Sequence, residues 1–262
     1  MKLVKNLLML ACAFASVATA SAMAADATSL RYGLEAQYPP FESKGSNGEL
    51  QGFDIDVGNA VCKTANLKCS WVETSFDGLI PALQGRKFDA INSAMNATEK
   101  RRQAIDFTNV IYRVPTSLIA RKDSGLQPTP ESLKGKRIGV LQASIQETYA
   151  KAHWENAGVT VVPYQDQNQV YADLVAGRLD ATLVLAPAGQ AGFLSRPDGK
   201  DFAFVGQVRD DKILGSGVAF GIRKGDTALR NQLNAAITKV QADGTVKTLA
   251  EKYFGNIDVS AK

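Results

Sequence analysis

The chain has 262 residues, 30 basic and 26 acidic, with one histidine and three cysteines. This near-balance leaves no nucleic-acid footprint, because no basic run interleaves with aromatics. A single histidine, His153 in the charged stretch 149–156, reads as a solvated surface residue and leaves Ser-His-Asp or Cys-His catalysis without other candidates.

Residues 1–25 read as a signal peptide, with Lys2 and Lys5 before an uncharged apolar run from Leu7 to Ala20. Ala22-Met23-Ala24 places cleavage after Ala24 or Ala25 and the mature protein in the periplasm. The run is shorter than the about 20 residues a membrane span needs. Cys12 follows Met9-Leu10-Ala11, a poor lipoprotein motif, and leaves with the signal. Setting aside Lys2 and Lys5 leaves 30 − 2 = 28 basic against 26 acidic residues. The remaining length of about 237 residues suffices for one large or two modest domains. In an exported chain the close pair Cys62 and Cys69 most simply forms a disulfide, worth about 2 kcal/mol for so short a loop. No other Cys or His lies near enough in sequence to complete a metal site.

The mature chain alternates strands and helices. A strand over 29–35 precedes a helix over 53–65 that sets Ile55, Val57, Ala60 and Val61 at broadly helical spacing. A strand over 68–73, a helix over 76–83 and a strand over 88–95 complete a βαβαβ order, which implies parallel strands with helical crossovers. The order recurs with strands over 136–141, 159–163 and 181–185 and helices over 145–156 and 169–176. Two echoes link the halves: Arg31-Tyr32-Gly33-Leu34 with Arg137-Ile138-Gly139-Val140, and the run 85–90 (GRKFDA) with 177–181 (GRLDA). A strand over 217–222 and an amphipathic helix over 227–242 follow, then a further helix over 246–253. The extended segments 108–120 and 204–217 are the expected crossings between halves.

Anion binding is the chemistry these residues support. Asn96 and Glu99 have capping-box spacing, and Arg101 would sit in the first turns of the helix. Ser144 and Glu147 repeat the pattern in the other half, so two helix N-termini could face one carboxylate. Ordinary capping with a surface arginine is an equally open reading. Tyr38 and Phe76 fall just beyond strand ends, where open α/β sheets bind ligands, or belong to the core. No phosphate-loop or HExxH pattern is present.

The runs 38–43 (YPPFES), 52–59 (GFDIDVGN), 76–83 (FDGLIPAL), 133–142 (LKGKRIGVLQ) and 176–181 (AGRLDA) together resemble the periplasmic polar amino-acid binding proteins of ABC importers. The lysine/arginine/ornithine and histidine binders are most similar, over about residues 30–255. The resemblance implies an α/β type II periplasmic-binding-protein fold, two Rossmann-like lobes joined by a two-strand hinge. Lobe 1 would comprise 26–112 and 219–262, the hinge 113–116 and 210–218, and lobe 2 117–209. It further implies a monomer without cofactor or catalysis, closing on an amino acid or related carboxylate and serving a membrane ABC permease, with no nucleic-acid partner. By the same resemblance Tyr38 and Phe76 sandwich the ligand and Arg101 takes its carboxylate. Ser144 and Gln146 support that carboxylate from lobe 2, Ser93, Asn96 and Leu141 occupy further binding positions, and Cys62–Cys69 is the family disulfide.

Departures from the family pattern cluster at this site. Leu185 stands where the family has an aspartate for the α-ammonium, and Glu35 stands for the acid at the ligand's side-chain end. Ala94, Asn96 and Ile145 replace the usual small hydroxylic or acidic residues. A buried ammonium without a counter-charge costs several kcal/mol. The ligand is therefore expected to be N-substituted, to lack the α-amine, or to turn its amine toward Glu35; an ordinary basic amino acid bound weakly, or through a water, is the alternative. Some proteins of this fold resemble cyclohexadienyl dehydratases, and Glu35 could act as a general acid in such a lyase, but no second acid/base partner is evident.

Overall fold

The computed structural model describes residues 28–255 and Val259, so the expected signal peptide lies outside the described residues. The first half contributes β1 (Thr28–Leu34), β2 (Gln37–Tyr38), β3 (Glu42–Lys44), β4 (Leu50–Gln51), β5 (Leu67–Glu73), β6 (Ala90–Ile91) and β7 (Ile105–Phe107). Its helices are α1 (Phe53–Thr64), α2 (Leu79–Gln84) and α3 (Glu99–Arg102). The second half has β8 (Thr116–Arg121), β9 (Arg137–Leu141), β10 (Thr160–Tyr164), β11 (Ala181–Leu185) and β12 (Phe202–Val208). Among these lie α4 (Pro130–Leu133), α5 (Ile145–His153), α6 (Gln167–Val175) and α7 (Ala186–Gly189). The chain then returns through α8 (Asp211–Leu214) and β13 (Gly221–Arg223) to α9 (Thr227–Ala242) and α10 (Thr245–Phe254).

Two five-stranded sheets result, ordered β5-β1-β6-β13-β7 and β10-β9-β11-β8-β12. Each has three parallel neighbours and then two antiparallel pairings, the first made by the strand that enters from the other half. A small antiparallel sheet, β2-β3-β4, stands beside the first. These are the two lobes of a type II periplasmic-binding-protein fold. The disulfide Cys62–Cys69 ties the end of α1 to β5, with Cα atoms 6.2 Å apart.

The sequence echoes turn out to be one lock used twice. In lobe 1 the Arg31 side chain binds the Asp89 carboxylate at 3.0 Å, while the Arg31 amide also donates to it at 3.1 Å. In lobe 2 the Arg137 amide donates to Asp180 at 2.8 Å. Two residues on, Gly33 and Gly139 leave room for Phe88 and Leu179: a Cβ there would stand 2.3 Å from the Phe88 ring or 2.4 Å from a Leu179 methyl. The glycine, the residue pressed on it and the adjacent aspartate thereby set the register of β1 with β6 and of β9 with β11.

Some elements are shorter than the sequence pattern implies. The strand expected over 88–95 reduces to Ala90–Ile91, because the next residues turn toward α1. Asn92 donates to the Asp54 carbonyl at 2.8 Å, and the Ala94 amide to the Asp54 carboxylate at 2.6 Å. The strand expected over 217–222 begins at Gly221, while Val218 makes isolated bridges to Asn96 and Tyr112. The helix expected over 145–156 ends at His153 and continues as a 3-10 turn, and α8 lies in a segment expected to be extended, capped by Asp210. His153 meets Asp210 at 2.8 Å on the surface.

Gly33→Ala and Gly139→Ala should each destabilise the protein by about 1–3 kcal/mol through overpacking. Thermal denaturation checks this; an unchanged midpoint for both would contradict the lock.

Candidate functional site

Both sheets point toward a shared cleft, which the lobes close with direct hydrogen bonds. The Leu185 amide donates to the Tyr38 hydroxyl (3.4 Å) and Arg101 Nη2 to the Ala143 carbonyl (3.0 Å). Gln142 donates to the Asp77 carboxylate and Asn168 to the Gln37 side chain, both at 3.2 Å. Between these contacts lies a cavity of about 20 Å³, lined by Tyr38, Phe76, Ala94, Asn96, Arg101, Leu141, Ser144, Ile145, Gln146 and Leu185. That volume holds about one water molecule, so an amino-acid-sized ligand enters only when the lobes separate.

Arg101 supplies the only charge in this lining. Its Nη1 donates to the Asn96 carbonyl at 2.9 Å, and its guanidinium carbon stands 5.4 Å from the centre of the Phe76 ring. A guanidinium has five N–H donors. Two are used on backbone carbonyls, and among the described residues no carboxylate pairs with Arg101. Burial lowers its pKa to about 10, which leaves it charged at neutral pH. Two alanines held in left-handed backbone flank it: Ala94 at φ 44 on the cavity wall, and Ala143 at φ 59, whose carbonyl meets Arg101. Such conformations are costly for non-glycine residues and persist where the surrounding structure imposes them.

The helix termini differ from the expected pair. In lobe 1 the cap is Thr98, whose hydroxyl accepts from the Arg101 amide at 3.2 Å, and α3 is a single turn. Asn96 is not the cap: it is bridged to Val218, and its side chain donates to the Leu214 carbonyl at 2.9 Å. In lobe 2 Ser144 caps α5 by accepting from the Glu147 amide at 3.0 Å, while the Glu147 carboxylate reaches back to the Ala143 amide at 2.6 Å. Gln146 points to Thr116 at 3.4 Å.

Ser93 lies behind the cavity wall. Its hydroxyl accepts from the Glu35 amide (3.0 Å) and donates to Glu42 (2.8 Å). Glu42 and Asp54, with Tyr112 donating to Asp54 at 2.7 Å, form a buried acid pair that sequence reasoning missed although both residues lie in the matched runs. Burial, reinforced by the charge of Asp54, holds the Glu42 carboxyl well above the usual range; burial also raises Asp54.

Glu35 does not line the small cavity. It is 4% exposed, and neither carboxyl oxygen has a hydrogen-bond partner among the described residues. It borders a wider groove of about 760 Å³ between the lobes. Burial first, then the charges of Asp166 and Asp77, push its pKa up to about 8. Nothing in the local sequence distinguishes Asp166 from an ordinary cap of α6, a role it also has. The folded protein keeps the Glu35 proton between pH about 4.5 and about 8, whereas the unfolded chain loses it near pH 4.5. The native state thus binds more protons across this window, and stability falls as pH rises through it. The melting midpoint of ligand-free protein should decline from pH 5 to pH 8, and Glu35→Gln should flatten the decline, with Glu42 and Asp54 supplying the remainder. An identical slope in the variant would contradict this assignment.

Residues 30–256 match the family described as bacterial extracellular solute-binding proteins, family 3. The histidine-binding periplasmic protein of Escherichia coli (strain K12) is 48% identical over 251 residues, 95% of this chain and 96% of that protein. The lysine/arginine/ornithine-binding periplasmic protein of the same strain is 47% identical, with the same coverage of 95% and 96%. The structure of an ancestral arginine-binding protein bound to arginine is 32% identical and covers 88% of this chain and 100% of that one, with a TM-score of 0.81. These relatives are binding proteins, which favours a receptor over the lyase alternative. The chain belongs to the bacterial extracellular solute-binding proteins of family 3, as a binding protein rather than an enzyme.

Proposed function

We propose that this protein captures a small carboxylate in the periplasm, a basic amino acid or an amino-acid-derived carboxylate, and presents it to a membrane ABC permease. In this reading residues 1–25 are cleaved on export and the mature protein works as a monomer. Lobe 1 (26–112 and 219–262) and lobe 2 (117–209) close about the hinge segments 113–116 and 210–218. The observation that carries the proposal is Arg101, a partly buried guanidinium at the lobe boundary with donors to spare and no acidic partner among the described residues. A planar fork of this kind matches a carboxylate bidentately.

The ligand meets lobe 1 first, its acid group on Arg101 and its body between Tyr38 and Phe76. Lobe 2 then adds the α5 amides near Ser144 and Gln146 and the apolar cover of Leu141, Ile145 and Leu185. Ligand contacts made only in the closed form shift the population toward it. Glu147 lines the adjoining outer groove, but among the described residues no acidic side chain lines the small cavity at Arg101, where Leu185 is 3% exposed. An α-ammonium placed there is buried without a counter-charge, which disfavours it by several kcal/mol.

Isothermal calorimetry tests both statements. Arg101→Ala should weaken binding of any carboxylate ligand by about 30-fold or more while leaving the melting midpoint near that of the wild type. Unchanged affinity would remove the anchor. Across lysine, arginine, ornithine and histidine and their amine-free or amine-blocked counterparts, the latter should bind at least as tightly, and Leu185→Asp should reverse the order. A clear wild-type preference for a free basic amino acid would contradict the role given to Leu185.

A further inference from the structure

The wide groove between the lobes holds charge that the carboxylate site does not use. Its lining includes Glu35 and Glu73 from lobe 1, Asp166 and Arg196 from lobe 2, and Lys44. Lys44 and Glu73 neutralise one another at 2.8 Å. Arg196 forms no ion pair with Glu35 or Asp166 within 4.0 Å among the described residues. Glu35 and Asp166 are therefore left facing the same space from opposite lobes, and Asp77 adds a third carboxylate felt by Glu35. Glu35 is 4% exposed, and its two carboxyl oxygens are buried without partners among the described residues, an arrangement costly to leave uncompensated. Asp166 has one oxygen on the Gln169 amide at 3.0 Å, which leaves acceptor capacity on the other. No three acidic, His or Cys side chains among the described residues converge closely enough to hold a metal ion.

We infer that Asp166 of lobe 2 joins Glu35 of lobe 1 in seating the cationic end of the ligand, so that a positively charged tail helps draw the lobes together. This inference rests on the carboxylate reading above and adds a specificity-determining residue to it. The ligand is a dipolar molecule, acid at Arg101 and ammonium or guanidinium between Glu35 and Asp166. Its positive charge allows Glu35, which holds its proton up to pH about 8 in the ligand-free fold, to ionise beside Asp166. Tails of neutral character lose this contribution and keep only the Arg101 end.

The test uses matched ligands that differ only in tail charge: L-arginine with L-citrulline, and 4-guanidinobutanoate with 4-ureidobutanoate. Asp166→Asn is the informative variant because asparagine caps a helix as well as aspartate does, so α6 is preserved. Calorimetry should show that the wild type prefers the guanidino member. The variant should bind that member about five- to tenfold more weakly and the ureido member within about twofold of wild type. A second readout is the inter-lobe distance of ligand-free protein, followed with a fluorophore pair. Above pH 8, where Glu35 is also ionised, the variant should be more closed at low ionic strength, a change that a purely capping role would not produce. Equal loss for both ligand members, or no loss for either, would reduce Asp166 to a cap and overturn the inference. Wild-type protein that binds the two members equally would overturn it too, while leaving the Arg101 reading intact. Binding of no member of either pair would overturn the carboxylate reading together with the inference.

Discussion

A charged group that is partly buried, with no counter-ion among the described residues, dominates this structure. Arg101 is held by the carbonyls of Asn96 and Ala143, one from each lobe, and the cavity it faces contains no acid. Carbonyl dipoles keep the guanidinium in place but do not neutralise it. Glu35 presents the complementary situation in the neighbouring groove, a carboxyl whose oxygens have no donors among the described residues. In the proposed function a small molecule carrying one acid group and one base would satisfy both, and closure would be favourable where those charges are matched. Leu185, Ile145 and Ala94 form the apolar part of the cavity lining that, in the proposed function, lies between the two poles.

The fold serves this by presenting two sheets in equivalent orientation. The lock made by Gly33, Phe88 and Asp89 recurs as Gly139, Leu179 and Asp180, so corresponding parallel strands end at the same cleft. On the lobe 1 side the backbone leaves β6 at once and turns back to Asp54, which places Ala94 and Asn96 on the cavity wall. On the lobe 2 side the turn after β9 is pinned by Ser144 and Glu147, which aims the Ala143 carbonyl at Arg101. Caps and left-handed alanines on both sides fix the local backbone that each lobe brings to the site.

Much of the architecture is legible in the residues. Alternating apolar patterns place most strands and helices within a few residues, and the Arg-x-Gly and Gly-Arg-…-Asp-Ala echoes announce two similar lobes because they encode the same packing contact. The exceptions have local causes. The strand after Phe88 stops early because buried Asp54 takes the Ala94 amide and the Asn92 side chain, a long-range contact invisible to periodicity. Asn96 looks like a helix cap because Asn and Glu have the right spacing, yet Thr98 has the same chemistry two residues later and wins. The residues around the small cavity fall at positions marked by the family resemblance, whereas Asp166 lies outside the matched runs and Asp77, within one of them, has no role there. Asp166 comes near Glu35 only when the two lobes meet, whereas Asp77 belongs to lobe 1 with Glu35 and is brought near it by the fold of that lobe.

The central claim is that the cleft takes a molecule with an acid group at Arg101 and a positive charge toward Glu35. The most direct measurement is mass spectrometry of whatever co-purifies with the protein, released by denaturation and compared with material from the Arg101→Ala variant. The account expects a small zwitterionic or cationic carboxylate from the wild type and none from the variant. A sugar or other neutral compound lacking an acid group, retained equally by both proteins, would contradict it.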